Sequence, residues 1–501
     1  MNGDARSGLP DFRGLSDEDA ARALLDLTLQ AAPPDVADAV RACALPAWFD
    51  AGLLALLTEK DEQEAAALLA QVAAFSFVLP RDGGGYVYHE ATRARLRDWW
   101  QEPQHRQRFT ALNERLARYY LPLAYEQDHR LSGPDYLHAL TVLDGAYPNI
   151  RAAWEGAVTS DNTELVRDFA YTLADYFQRR GLWADWIAWR QAGLNACEDA
   201  SDAIACASMQ NNLGNAYFFL PTGDRAENLN KAIACYREAL RVYTPEAAPL
   251  DYAMTQNNLG TAYSDLPTGD RAENLSKAID CYLEALRVYT PEAAPLDYAM
   301  TQNNLGTAYL RLPTGDRAEN LKQAIACYRE ALRVYTPEAA PLEYAGTQNN
   351  LGNAYSDLPT GDRAENLQKA MDCYREALRF RTPEAAPLAY AGTQNNLGDA
   401  YLRLPTGDRA ENLRQALEHA EAALRFIGSA PWNRAACLFT RGLIHLALGH
   451  RDPALADYQA AIPLADSVAI AEALEELDEF AVGHPDTPGL DAVRTLLTSP
   501  P

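Results

Sequence analysis

His89 and Glu90 stand side by side, the opening of a pattern in which two histidines one helical turn apart hold zinc and the glutamate activates water. Arg93 occupies the place of the second histidine, so the metal face is missing. The eight histidines are scattered and none recurs beside a repeated Cys or Ser, so no nucleophile and base can be paired by spacing. Cys235, Cys281, Cys327 and Cys373 recur at a fixed interval, which makes them copies of one packing position and predicts reduced, buried thiols. No G-x-x-x-x-G-K-[ST] phosphate loop occurs. The expectation is a chain that is no enzyme and carries no cofactor and no metal.

The residue types that do recur suit recognition. Asn-Asn-Leu-Gly begins at 211, 257, 303, 349 and 395, a constant period of 46 residues. An asparagine amide offers one acceptor and two donors, which suits it to gripping a peptide backbone without reading side chains. Asn212, Asn258, Asn304, Asn350 and Asn396 would form such a ladder, or would bond neighbouring units and set their stacking. Differences between the near-copies concentrate on the same helical stripe, at Asn215, Thr261, Thr307, Asn353 and Asp399, then at Phe219, Asp265, Arg311, Asp357 and Arg403. These fifteen residues are the candidate partner-binding groove. The Asp–Arg alternation in the last set either cross-links units by ion pairs or reads charges on a ligand, and it points to duplication of a 92-residue block.

Each unit must supply helices to carry that stripe. Leu259, Tyr263 and Leu266 fall at i, i+4, i+7, and Leu275, Ala278, Ile279, Tyr282, Ala285, Leu286 and Tyr289 continue the periodicity further on. Pro267 and Gly269 stop the first helix, and Asp270 with Glu273 forms an Asp-x-x-Glu capping box that starts the second. The string LPTGDRAENL, repeated from Leu220, Leu266, Leu312, Leu358 and Leu404, is therefore turn chemistry; four units close with TPEAAPL, from Thr244, Thr290, Thr336 and Thr382.

Leu259, Gly260, Tyr263, Ala278, Tyr282, Ala285 and Pro291 resemble the tetratricopeptide signature, whose helix pairs stack into a superhelix. The familiar unit is about 34 residues; here six residues lengthen the turn within each unit and a similar number lengthens the link. The resemblance implies an all-α solenoid of helical hairpins with a concave, peptide-binding groove. The segment 432–466, with Gly442, His445, Ala454, Tyr458 and Ala461, reads as a sixth unit of ordinary length, 163–200 as a degenerate helix pair with Trp183, Trp186 and Trp189, and 467–501 as a helical cap.

Upstream, three short helical patterns precede two β runs, Ser76–Leu79 and Tyr86–Tyr88, around Asp82-Gly83-Gly84-Gly85. This order over 34–100 resembles a small winged helix, and Tyr88-His89-Glu90-Ala91-Thr92-Arg93 resembles the segment closing the winged helix of STAND signalling NTPases. Pro148-Asn149-Ile150-Arg151-Ala152-Ala153-Trp154, in a helical bridge over 101–162, resembles the linker helix before STAND sensor repeats. The nucleotide-binding module of those proteins is absent. Glu59, Lys60, Asp61, Glu62 and Glu64 make the DNA-reading slot acidic, unsuited to phosphates.

Asp and Glu outnumber Lys and Arg by 69 to 44, a formal charge of −25, so no nucleic acid and no anionic membrane is expected as partner. Residues 1–33 carry no apolar secretion core, and no apolar run spans a bilayer, which makes the cytoplasm the expected location. The reading is five 46-residue units over 201–431 acting as a protein-interaction scaffold or sensor for a partner protein or extended peptide, in a bacterial-type signalling or defence assembly. The alternative is a regulatory subunit whose winged helix docks a separate NTPase or effector, and after it a DNA-binding regulator. No oligomeric state is read from the sequence.

Overall fold

In a computed structural model the described residues are 16–428 and 431–498. Of the expected N-terminal segment 1–33, residues 1–15 lie outside them. Two compact units divide the chain, 1–222 and 223–501.

The first unit opens with α1 (Asp17–Ala31), α2 (Pro34–Ala42), α3 (Ala51–Thr58) and α4 (Glu62–Val72), then β1 (Val78–Pro80), β2 (Tyr86–Tyr88) and α5 (Glu90–Trp100). β1 and β2 pair antiparallel, with Leu79 opposite Val87, and Phe49 adds a bridge to Tyr86. A strand-like contact between the first two helices of the trio plus a terminal hairpin is the winged-helix arrangement. Asp61 caps α4 by accepting from the Gln63 and Glu64 amides, and the exposed start of α4 is acidic, as expected. Two long helices follow, α6 (Arg106–Arg130) and α7 (Tyr136–Thr159). Asn149 of α7 is fully buried: its Oδ1 accepts from the Ala47 and Trp48 amides at 2.7 and 3.0 Å, and its Nδ2 donates to Trp48 O and Tyr120 Oη. The Pro-Asn-Ile-Arg string thus straps the bridge to the winged helix. Tyr88 and Arg93 do the same within it, donating to the carbonyls of Val40, Ala44 and Leu45.

The degenerate pair expected at 163–200 is three helices, α8 (Thr163–Ala170), α9 (Ala174–Arg180) and α10 (Trp183–Asp199). Leu173 breaks the first member with φ 61°, a left-handed conformation that no glycine or proline announces. α11 (Ala203–Phe219), the first helix of the first 46-residue unit, packs on α10 and closes this unit.

The second unit is a solenoid of helical hairpins: α12 (Arg225–Ala239), α13 (Pro249–Asp265), α14 (Arg271–Leu286), α15 (Pro295–Arg311), α16 (Arg317–Ala331), α17 (Pro341–Ser356), α18 (Arg363–Leu378), α19 (Pro387–Arg403) and α20 (Arg409–Phe426). The ordinary-length pair α21 (Pro431–Ala447) and α22 (Arg451–Ala461) follows, with the cap α23 (Ser467–Gly483) and α24 (Leu490–Thr498). From α12 to α22 each helix packs on the next, α24 packs on α22 and α23, and α13, α15, α17, α19 and α21 also touch in succession. Successive first helices thus touch one another as well as their own partners. Gly260, Gly306 and Gly352 admit the rings of Tyr282, Tyr328 and Tyr374; a Cβ on Gly306 would lie 2.8 Å from Tyr328 Cε1. These are the small and large partners that seal each hairpin.

The turns hold for local reasons. Gly269 and its equivalents take φ near +85°, open to glycine alone without strain. Asp270 Oδ1 accepts from the Ala272 and Glu273 amides, but the capping box is half-formed. Glu273 turns instead to Lys277 at 2.6 Å, one helical turn on. In the links, Thr290 Oγ1 accepts from the Ala293 amide, and Pro295 opens α15 with a φ suited to the first helical turn.

Candidate functional site

Asn212, Asn215 and Phe219 lie on α11 in the first unit; in the second, eleven of the other predicted residues lie on α13, α15, α17 and α19, and Asp357 caps the C-terminus of α17. On those helices Met254, Asn258, Thr261 and Asp265 and their equivalents share one face, exposed at its ends and half-buried in its middle.

In the middle, the amides join units. Asn304 Nδ2 donates to Asn257 Oδ1 at 3.2 Å, Asn350 to Asn303 at 3.2 Å, and Asn396 to Asn349 at 3.3 Å. The same acceptors take the hydroxyls of Thr301, Thr347 and Thr393. In the pairs beginning at 257, 303 and 349 the first asparagine is the receiver and the second asparagine of the next unit the donor, whereas Asn395 of the last pair keeps a buried Oδ1 with no partner among the described residues. Asn304 and Asn350 each keep Oδ1 without a hydrogen bond from any described residue. Asn396 donates twice, also to Asn353 Oδ1 at 3.0 Å.

The next row is engaged as well. Tyr282 donates to Thr261 at 3.2 Å and Tyr374 to Asn353 at 2.8 Å, while Thr307 and the Tyr328 hydroxyl lie 3.1 Å apart. Asp399 pairs with Arg403 at 3.0 Å. Members of the last row do not ion-pair with one another, but Asp357 does cross-link two units, as one of the two readings drawn from the alternating charges expected. Asp357 meets Arg317 of the preceding turn at 3.1 Å, and Arg403 reaches Glu476 on α23 at 3.5 Å. Asp265 and Arg311 are exposed and form no ion pair with a described residue.

Sequence reasoning missed the arginine of the repeated Gly-Asp-Arg. Arg271, Arg317, Arg363 and Arg409 each donate back to the last turn of the first helix, at the carbonyls of Ser264, Leu310, Ser356 and Leu402. Burial lowers the Arg271 pKa, and the Arg311 charge lowers it further. Invariance across copies hid this role, since every residue of the string is equally invariant. Around Arg363, Arg403, Arg409, Leu443, Glu476 and Phe480 opens a cavity of about 450 Å³. Burial, with Asp399 next, pushes the Glu476 carboxyl up to about 7.

All four repeated cysteines are free, as expected, but only Cys327 is buried and Cys235, Cys281 and Cys373 are half-buried. Burial pushes the Cys235 thiol up to about 11 and those of Cys281, Cys327 and Cys373 to about 12, the signature of inert packing groups. Among the described residues no cluster of three or more His, Cys, Asp or Glu could hold a metal ion. No helix among them is long and apolar enough to cross a membrane.

The fold is thus a tetratricopeptide-type solenoid of helical hairpins, preceded in the chain by a winged-helix-like region with a β-hairpin. Residues 345–383 match the family model described as tetratricopeptide repeat. No curated protein sequence matches the chain. Among solved structures, it is similar to a STAND (Signal Transduction ATPase with Numerous Domains) protein with a tetratricopeptide repeat sensor from Pyrococcus horikoshii, at 15% identity and a TM-score of 0.49, over 95% of this chain. The chain spans 61% of that protein's length. A tetratricopeptide repeat protein from Parabacteroides merdae is 14% identical, with a TM-score of 0.41, over 68% of this chain and 100% of that one. The apo form of the quorum sensor NprR from B. thuringiensis is also 14% identical, with a TM-score of 0.45, over 75% of this chain and 94% of that one.

Proposed function

We propose that this chain is a non-catalytic scaffold or sensor that binds a protein partner, as an extended segment, along the first-helix face of its repeats. The reading places it in the cytoplasm, in a bacterial-type signalling or defence assembly. One observation carries it: units otherwise near-identical differ on the first-helix stripe, where Asn304 and Asn350 keep acceptors that take no hydrogen bond from a described residue beside their struts. A backbone N–H of a ligand is the matching donor.

The test separates acceptor from strut. Replacing Asn304 and Asn350 by Ala removes both functions, whereas replacing them by Asp removes the strut donor and keeps an acceptor oxygen. Affinity capture from a lysate with wild-type bait, identified by mass spectrometry and followed by titration, should yield a protein that the Ala variant binds about 5–10-fold more weakly per lost contact. The Asp variant should retain it better than the Ala variant despite equal loss of stability. Equal binding by all three baits, or recovery of nucleic acid in place of protein, would reject the reading.

A further inference from the structure

Residues 310–321 and 402–413 are the same twelve-residue string, Leu-Arg-Leu-Pro-Thr-Gly-Asp-Arg-Ala-Glu-Asn-Leu. Both begin at the end of a first helix, α15 or α19, and in both the second arginine clasps the carbonyl of the leading leucine. Their surroundings differ. Leu402 is 4% exposed, in one apolar cluster with Leu443, Ala473 and Leu477, and Arg403 pairs with Glu476. Leu310 is only half-buried, and Arg311 is exposed without an ion pair among the described residues.

What covers the downstream copy is α23. It presents Ala473, Glu476, Leu477 and Phe480 at i, i+3, i+4 and i+7, an amphipathic helix whose carboxylate meets the arginine and whose apolar side chains meet the leucine's cluster. At the upstream copy, the guanidiniums of Arg271 and Arg311 repel one another. The carboxylates near them are Asp265, unpaired, and Asp357, already held by Arg317.

We infer that Leu310–Arg311 is an open copy of the seat that Leu402–Arg403 offers to α23, and that its occupant is an acidic amphipathic helix flanking the partner's extended segment, with a carboxylate one residue before a buried leucine as in Glu476-Leu477. This rests on the proposed use of the first-helix face and adds the chemistry of the ligand. Chemical complementarity sets the choice: an unmatched guanidinium favours a carboxylate, and the half-buried leucine favours an apolar neighbour. The seat is one turn of helix wide, so binding is weak and sensitive to salt.

The probe is a fluorescein-labelled peptide of residues 467–483, titrated by anisotropy into the full-length chain. Saturable binding is expected, at least about tenfold weaker on Arg311→Glu and little changed on Arg287→Glu, an exposed arginine outside the candidate groove that pairs locally with Glu284. A peptide with Gln at 475, 476 and 479 should bind at least about tenfold more weakly, and raising salt should weaken the native peptide in parallel. Arg311 is exposed, so Arg311→Glu should melt with the wild type, which circular dichroism checks. Absent binding, binding indifferent to Arg311, or binding weakened equally by Arg287→Glu would overturn the assignment. So would an Arg311-dependent dimer in light scattering, with a second copy's α23 in the seat. A chain that captures a protein through Asn304 and Asn350 yet ignores this peptide would sink this inference and leave the proposed function standing.

Discussion

Asp128 shows how a single side chain ties the bridge helices to pH. Its Oδ1 accepts from the Tyr176 amide at 2.9 Å, yet burial outweighs that bond and, with Asp175 nearby, pushes the carboxyl from 3.8 up to about 6. The folded state therefore holds the proton more tightly than the unfolded chain. The stability this contributes is complete below about pH 4 and is lost as pH rises through about 6. Asp128→Asn keeps the acceptor oxygen and cannot ionise. Relative to wild type it should gain about 1–3 kcal/mol between pH 4 and pH 7, read by urea denaturation at both values. An identical difference at the two pH values would contradict the assignment of Asp128 as the titrating group. At the same scale, Asn304 and Asn350 each give one N–H to the neighbouring unit and keep an oxygen that takes no hydrogen bond from a described residue, which is the acceptor the proposed binding role would use.

The helical hairpin is held by small residues facing large ones, and the glycines of the first helices are not equivalent. At Gly306 a methyl group would press on the Tyr328 ring at 2.8–2.9 Å, whereas nothing lies within 4 Å of the same addition at Gly392. Overpacking costs about 1–3 kcal/mol, and replacing glycine by alanine inside a helix returns up to about 1 kcal/mol. Gly306→Ala should thus lower the melting temperature and Gly392→Ala should raise it. Thermal scans of the two variants giving the reverse order would show that the tyrosine does not seal the hairpin. The sequence spacing of Gly260 and Tyr282 foretold their pairing as signature residues, but no spacing announced the break at Leu173. There the φ of 61° falls on a residue type that does not favour it, so only the packing of α8 and α9 against their neighbours accounts for the turn.

At the scale of the whole molecule, an array in which each hairpin touches its neighbours should unfold by neighbourhood. Stability is then a sum of unit and interface terms, and damage in one unit is felt most in the next. Hydrogen exchange on Gly306→Ala should show protection lost first in α15 and α16, less in α14 and α17, and unchanged in α6 and α7 of the other unit. Uniform loss across both units would mean that the chain unfolds as one cooperative block.

Period, helix class, turn positions and the stripe of variation were legible in the amino-acid sequence, because each depends on residues within one 46-residue unit: Pro267 and Gly269 end a helix, Asp270 begins one, and Leu259 with Tyr263 sets its buried face. The β-hairpin and winged-helix order were legible for the same local reason, through Asp82-Gly83-Gly84-Gly85 between two β runs. What tertiary structure alone decided is where polar groups spend their bonds. Asn304 and Asn257 are 47 residues apart, Arg317 and Asp357 40, and Asn149 and Trp48 101. Arg311 and Arg403, identical within identical strings, differ because α23 folds back onto one and not the other. A hydrogen bond or ion pair is settled by distances of a few ångströms in space, which a repeat period does not encode.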